Sequence, residues 1–215
     1  MPMTPDEASR QARDICALAP VVPVLTIPDA SKAEGLARAL VAGGLPALEV
    51  TLRTPAALDA IREMSRVDGG VVGAGTIMSA EDVVAAKRAG ALFGVSPGSS
   101  PSILDKAEEV GLPMLPGAVT ATEIMALLDR GYTMLKFFPA EASGGAPALG
   151  AFSGPIPQVT FCPTGGVSLS NVEAYLSLPN TVCVGGSWVA PAKMIETENW
   201  AGIEALANEA AALGS

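Results

Sequence analysis

The chain has 215 residues, 49% of them apolar and 16% charged, which suits one packed domain and argues against extended disorder. Thirteen basic against 22 acidic side chains leave a net charge of −9, and aromatic residues make up only 4%, so neither a nucleic-acid surface nor a basic membrane-binding face is expected. Histidine is absent, which excludes imidazole bases, Ser-His-Asp triads and His-ligated metals.

The first twenty residues, MPMTPDEASRQARDICALAP, mix charges of both signs and lack a continuous apolar core, so they read as a short amphipathic helix and not as a signal peptide. A strand-like run begins at Val21 (VVPVLTI) and a second at Ala47 (ALEVTL). Thr54-Pro55 follows, with Thr54 expected to cap a helix that carries Leu58, Ile61 and Met64 on one face. The third run starts at Val71 (VVGAG). After it, Ser79 and Asp82 resemble a capping box and Gly90 a helix stop. The fourth, at Leu92 (LFGV), precedes Ser100-Pro101 and a helix with Ile103, Leu104 and Ala107, closed by Gly111. The fifth, at Pro113 (PMLP), precedes a helix start at Thr120 to Glu123, with Ile124, Leu127 and Leu128 inward and Gly131 as the stop. The sixth and seventh begin at Thr133 (TMLKFF) and Val159 (VTFC), after which Ser170 is expected to cap a helix carrying Val172, Tyr175 and Leu176. The eighth is at Thr181 (TVCVGG).

Eight runs spaced by 20 to 26 residues, each followed by a helical or loop segment, predict parallel strands joined by right-handed crossovers. The closed form is a (β/α)8 barrel, a TIM barrel with an extra N-terminal helix, occupying residues 1–215 as a single domain. The competing architecture is an open doubly wound sheet, for which eight strands are many. The longest uncharged stretch, 142–172, is broken by Gly, Pro, Ser and Thr and cannot span a bilayer as a helix. Cys16, Cys162 and Cys183 form no CxxC pattern, fit a reducing, cytoplasmic setting, and are expected to be small buried apolar groups.

In such a barrel the chemistry sits at the C-terminal strand ends. Of five lysines only Lys136 lies inside a strand, in Met134-Leu135-Lys136-Phe137-Phe138-Pro139. A lysine at its reference pKa is a free amine in only about one molecule in 2,500 at pH 7. Keeping it from water favours that form, the nucleophile that attacks a carbonyl to give a Schiff base. Snorkelling toward water is the bland alternative. In the second run Glu49, Thr51 and Arg53 alternate with Leu48, Val50 and Leu52, so Glu49 and Arg53 point into the barrel and its mouth. Even-numbered strands share interior layers, which lets Glu49 meet Lys136. Such a pair is either a buried ion pair or the proton donor and acceptor that imine chemistry requires.

The seventh and eighth runs lead into Thr164-Gly165-Gly166 and Gly185-Gly186-Ser187, paired glycines in the two loops where this barrel usually holds phosphate. Thr164 and Ser187 add hydroxyl donors. Thr76 and Arg53 suit a carboxylate, and Pro97 and Phe138 an apolar wall beside a small keto acid, although Ser96-Pro97-Gly98 also reads as a plain turn and Phe138 as core.

Six motifs, Glu49-Val50-Thr51-Leu52-Arg53-Thr54, Gly73-Ala74-Gly75-Thr76, Ser96-Pro97-Gly98, Lys136-Phe137-Phe138-Pro139-Ala140-Glu141, Phe161-Cys162-Pro163-Thr164-Gly165-Gly166 and Gly185-Gly186-Ser187-Trp188, resemble in order and spacing those of the bacterial 2-keto-3-deoxy-6-phosphogluconate aldolases. The resemblance runs from about Val21 to Ala192. It implies a class I aldolase of the Entner–Doudoroff route that yields pyruvate and glyceraldehyde 3-phosphate, works without a metal or other cofactor, and assembles as a homotrimer. By the same resemblance Lys136 is the Schiff-base residue and Glu49 the proton-transfer residue. Arg53 and Thr76 then hold the pyruvate carboxylate, Thr164 orients substrate, and Gly165, Gly166, Gly186 and Ser187 lie at the phosphate. Thr160, where relatives often carry a basic residue, and the segment Ala142-Ser143-Gly144-Gly145 depart from the pattern and bear on affinity or substrate scope.

Other readings stay open on sequence alone. Aldolases for 4-hydroxy-2-oxoglutarate or for the galactonate epimer use the same lysine chemistry. A metal-dependent epimerase or class II aldolase is disfavoured by the lack of histidine. A sugar-phosphate-binding barrel without activity leaves the strand position of Lys136 unexplained.

Overall fold

Every apolar run enters a parallel sheet. In the computed structural model, which describes residues 1–214, the strands are β1 (Val21–Leu25), β2 (Ala47–Thr51), β3 (Val71–Gly75), β4 (Phe93–Val95), β5 (Met114–Leu115), β6 (Gly117–Ala118), β7 (Met134–Phe137), β8 (Thr160–Pro163) and β9 (Val184–Gly186). The fifth run is divided in two at Pro116, which has no N–H to donate to a ladder. Before it β5 pairs with β4, and after it β6 pairs with β7.

Six strands run in the order β5-β4-β3-β2-β1-β9 and three in the order β6-β7-β8. The two arcs meet at Pro116 on one side and, on the other, through bridges between Phe161 and Thr181 and between Thr164 and Gly185. The ring therefore closes, and the fold is the expected (β/α)8 barrel.

The helices are α1 (Pro5–Cys16), α2 (Ala33–Ala42), α3 (Ala57–Met64), α4 (Ala80–Ala89), α5 (Pro101–Val110), α6 (Ala121–Arg130), α7 (Gly145–Ala151), α8 (Val172–Leu176), α9 (Ala192–Glu196) and α10 (Trp200–Ala211). Reciprocal capping boxes start three of them, Thr4 with Glu7, Ser79 with Asp82 and Thr120 with Glu123. Gly90, Gly111 and Gly131 end α4, α5 and α6 in the left-handed conformation.

Two expected caps are not made. The Thr54 hydroxyl donates to the Ile27 carbonyl at 2.6 Å, a tertiary partner that outcompetes the local one, and α3 begins only after Ala56. The Ser170 hydroxyl pairs with that of Ser168, while Asn171 precedes α8 and accepts from the Ser168 N–H at 2.8 Å.

Leu25, Leu48 and Val50 on the strands pack outward with Leu36, Leu40, Ile61 and Met64 on the surrounding helices, each fully or nearly fully buried. Burial of this kind stabilises by roughly 1.5–3 kcal/mol per side chain before entropy is counted.

A second apolar cluster fills the N-terminal end of the barrel, where Ala12 and Cys16 of α1 sit with Val22, Ala47, Phe93, Met134, Cys162 and Cys183. Ser9 on the same helix accepts from the Thr133 and Met134 N–H groups, both at 2.8 Å, and Arg13 donates to the Thr133 carbonyl. The extra helix is thus a plug, and the opposite rim is the open end. Among the described residues no helix is long and apolar enough to cross a membrane.

Candidate active site

The alternation on β2 does what its pattern requires: Leu48 and Val50 join the outer core, while Glu49 and Thr51 face inward. Glu49 stands in register with Val24 of β1 and Gly73 of β3. On β7, Lys136 stands in register with Gly117 of β6 and Cys162 of β8. The two charged side chains meet across the interior, with Lys136 Nζ 3.2 Å from Glu49 Oε1.

Both residues are almost sealed, Lys136 at 4% and Glu49 at 3% exposure. Desolvation offsets much of the attraction in such a pair, so its retention is poorly explained by stability alone. Lys136 Nζ also lies 5.3 Å from the centre of the Phe138 ring, a cation–π contact that flanks the amine with an apolar face.

At the rim, Arg53 Nε donates to Thr76 Oγ1 at 3.1 Å. Thr76 has φ +60°, a conformation that β-branched residues rarely adopt. Backbone strain of this kind, of order 1–3 kcal/mol, persists where the surroundings enforce it and clusters at functional sites. Arg53 itself is exposed.

A cavity of about 230 Å³ opens at this rim. Arg53, Phe138, Thr164, Gly165, Gly166 and Ser187 line it, together with Val24, Thr26, Val167 and Gly185. Gly165 and Gly166 have φ +98° and +80°. The carbonyls of this loop are tied down, Thr164 O by the Ala140 N–H at 2.8 Å, Gly165 O by the Glu141 N–H at 3.0 Å and Gly166 O by Asn171 Nδ2 at 3.0 Å. With these carbonyls engaged, the N–H groups of Gly165 and Gly166 are the backbone polar groups that the loop has left for a ligand.

Three rim residues named above, Thr76, Pro97 and Gly186, do not line this cavity, and neither do Lys136 and Glu49. Pro97 lies with its carbonyl backed onto Gly117, the register neighbour of Lys136. Gly186 lies against the Trp188 ring. A larger cavity of about 670 Å³ between α6 and α7 is walled by Met125, Phe152, Ile156 and other apolar groups, with Asp129 as its only charged lining residue, and offers no constellation for chemistry.

This geometry has counterparts among known proteins. Residues 12–206 match the family model for KDPG and KHG aldolase. The chain belongs to the KDPG and KHG aldolase family. It is 48% identical over 202 residues to the 2-dehydro-3-deoxy-phosphogluconate aldolase of Pseudoalteromonas atlantica, covering 94% of each chain. The crystal structure of the 2-keto-3-deoxy-6-phosphogluconate aldolase of Zymomonas mobilis ZM4 with 3-phosphoglycerate superposes with a TM-score of 0.91 at 48% identity, over 95% of this chain and 96% of that one. The KDPG aldolase of Legionella pneumophila, with pyruvate captured at low pH as a covalent carbinolamine, superposes with a TM-score of 0.90 at 42% identity, over 93% and 98%.

The aldolase fold places some residues that sequence reasoning missed. Thr26 continues the inward face of Val22 and Val24 past the end of β1, and its hydroxyl lies 3.2 Å from that of Thr51, which donates to the Leu25 carbonyl at 2.8 Å. A polar residue closing an apolar alternation was the available signal. The three cysteines, distant in sequence, converge beneath Lys136 and are all buried. Contact with Cys162, together with burial, pushes the Cys16 thiol up, and contact with Cys16 does the same for Cys183. Contact with Cys16 and Cys183, with the Lys136 charge beyond it, draws the Cys162 thiol down.

Proposed function

We infer that the chain is a class I aldolase that cleaves 2-dehydro-3-deoxy-6-phosphogluconate to pyruvate and D-glyceraldehyde 3-phosphate through an imine on Lys136. The observation that carries this reading is the buried approach of Lys136 Nζ to the Glu49 carboxylate at 3.2 Å. A lone buried amine attacks carbonyls, but dehydration and carbon–carbon cleavage also need a group that gives and takes protons.

The substrate carboxylate is held by Arg53 and Thr76, with Phe138 and Pro97 on the apolar side of the keto acid. Glu49 takes a proton from Lys136, the neutral amine adds to the C2 carbonyl carbon, and Glu49 returns that proton to the carbinolamine oxygen, which leaves as water. Glu49, now a carboxylate, removes the proton of the C4 hydroxyl. The C3–C4 bond breaks, its electron pair flows into the protonated imine, and aldehyde and enamine result. Reprotonation at C3 and addition of water to the imine release pyruvate and regenerate the amine. The imine is itself the electron sink, so this cycle calls on no metal or other cofactor.

Thr164 orients the middle of the substrate. The N–H edge of Gly165 and Gly166, with Ser187 and its neighbour Gly186, receives the phosphate. The unphosphorylated 4-hydroxy-2-oxoglutarate is served by the same lysine chemistry, and the phosphate loop ranks it second. On the same resemblance the enzyme is a cytoplasmic homotrimer of single-domain chains.

Borohydride trapping in the presence of pyruvate tests the assignment. A pyruvate-sized adduct mapped to Lys136, lost together with turnover in a folded Lys136→Ala variant, is the expected result. A folded Lys136→Ala protein with unaltered activity would reject it, and an adduct on another lysine would keep the chemistry and move the site.

A further inference from the structure

Glu141 closes the Lys136-Phe137-Phe138-Pro139-Ala140-Glu141 motif, yet nothing in the reaction cycle uses it. Its position is specific on three counts. Its N–H holds the Gly165 carbonyl at 3.0 Å. Its side-chain methylenes lie against Gly166, where a Cβ would come within 2.6 Å of Glu141 Cγ and 2.7 Å of Cβ. Its Oε1 accepts a hydrogen bond from the phenol of Tyr175, which is fully buried on α8.

We propose that Glu141 and Tyr175 form a bracket that sets the conformation of the Gly165–Gly166 loop and so positions the phosphorylated end of the substrate. The proposal rests on the phosphate assignment above.

A nest needs its N–H groups held in one direction, and a loop with two consecutive glycines at positive φ has little stiffness of its own. Packing of the Glu141 side chain on Gly166 supplies that stiffness from one side. An unanchored carboxylate beside an anion site would also repel the anion. The Tyr175 phenol, donating from the protein interior, fixes where that negative charge sits. Neither residue touches the reacting carbons, so both are positioning residues.

The test is a comparison of two substrates in three variants. Tyr175→Phe keeps the buried ring and removes the donor, and Glu141→Ala removes the packing and the acceptor. Glu141→Gln restores both packing and an acceptor for the phenol. The bracket predicts that Tyr175→Phe and Glu141→Ala each raise KM for the phosphorylated keto acid roughly fivefold to tenfold, the scale of one ordinary net hydrogen bond. It also predicts kcat within twofold, kcat/KM for 4-hydroxy-2-oxoglutarate within twofold, and near wild-type values in Glu141→Gln.

The double variant should lose no more than the worse single one, because the two residues act as a unit. Equal losses on both substrates, or an unchanged KM for the phosphorylated one in the exposed-site variant Glu141→Ala, overturn the proposal even if Tyr175→Phe fails to fold. Wild-type enzyme reports on the underlying reading separately. If inorganic phosphate does not compete with the phosphorylated substrate and that substrate has no advantage over the unphosphorylated one, the phosphate assignment falls and the bracket falls with it.

Discussion

The Glu49 carboxylate occupies the space that a side chain at residue 75 would need: a Cβ on Gly75 would stand 2.2 Å from Oε1 and 2.6 Å from Cγ. Gly75 ends β3 beside Thr51 of β2, so the bare backbone of one strand makes room for the acid of the next. Gly75→Ala is therefore expected to displace the carboxylate from Lys136 without removing either group. A shift of about 1 Å at a proton-transfer group costs on the order of 100-fold in rate. Steady-state kinetics should show that loss in kcat in a protein that still folds, and a wild-type kcat would argue that the Glu49 position is unimportant.

Glu49→Gln separates imine formation from turnover. The amide keeps the size of the side chain and removes its ability to carry a proton. Slow borohydride-trappable imine on Lys136 should survive while kcat falls by roughly 10²–10⁴-fold, the usual range for general acid–base catalysis. Near-normal turnover would remove Glu49 from the mechanism.

Thr76 predicts an exchange of activity for stability. Glycine at this position relieves the strain of φ +60° but deletes the hydroxyl that Arg53 Nε holds at 3.1 Å. Thr76→Gly should melt no lower than wild type, while KM for pyruvate in the condensation direction rises about tenfold, as expected for loss of a hydrogen bond to a charged group. A clear fall in Tm with unchanged KM would assign Thr76 to the scaffold.

The two tyrosines of the chain give a pH prediction. Burial, and then the hydrogen bond to Glu141, pushes the Tyr175 phenol well above its ordinary value of 10.0. Burial, and then the charge of Glu108, does the same for Tyr132. A group whose folded pKa is raised contributes stability that is fully present below its unfolded pKa and is lost as pH climbs above it. Tyrosinate absorbance at 295 nm should therefore be absent in native protein at pH 11 and appear only with unfolding. A reversible two-tyrosine titration near pH 10 in folded protein would contradict the burial of both rings.

The residues that sequence reasoning found are those whose chemistry conflicts with their local pattern. Lys136 and Glu49 are charges written into apolar strands, and a barrel register brings alternate runs, here the second and the sixth, into one layer, so their meeting follows from periodicity. The capping boxes of α4 and α6 were equally visible, because all their partners lie within four residues. What escaped is set by tertiary competition. Thr54 gives its hydroxyl to the carbonyl of Ile27, 27 residues away, and Pro116 divides one run between two neighbours. The cysteines lie on α1, on β8 and just before β9, and no local spacing announces that three elements end at one point. Glu141 looks like a surface acid until α8 brings Tyr175 to it.

The plug formed by α1 makes the barrel a blind well. Lys136 sits above a floor of Cys16, Met134, Cys162 and Cys183, so every molecule that reaches the amine arrives and departs through the same doorway. With Lys136 as the proposed imine residue and the phosphate proposed at the rim, the cleavage direction becomes a queue. The aldehyde half, nearer the rim, has to leave before water can come down to hydrolyse the imine and let pyruvate follow. In the reverse direction pyruvate must be seated first. Initial-rate and product-inhibition patterns would then report an ordered sequence whose order is set by which end of the tube is shut.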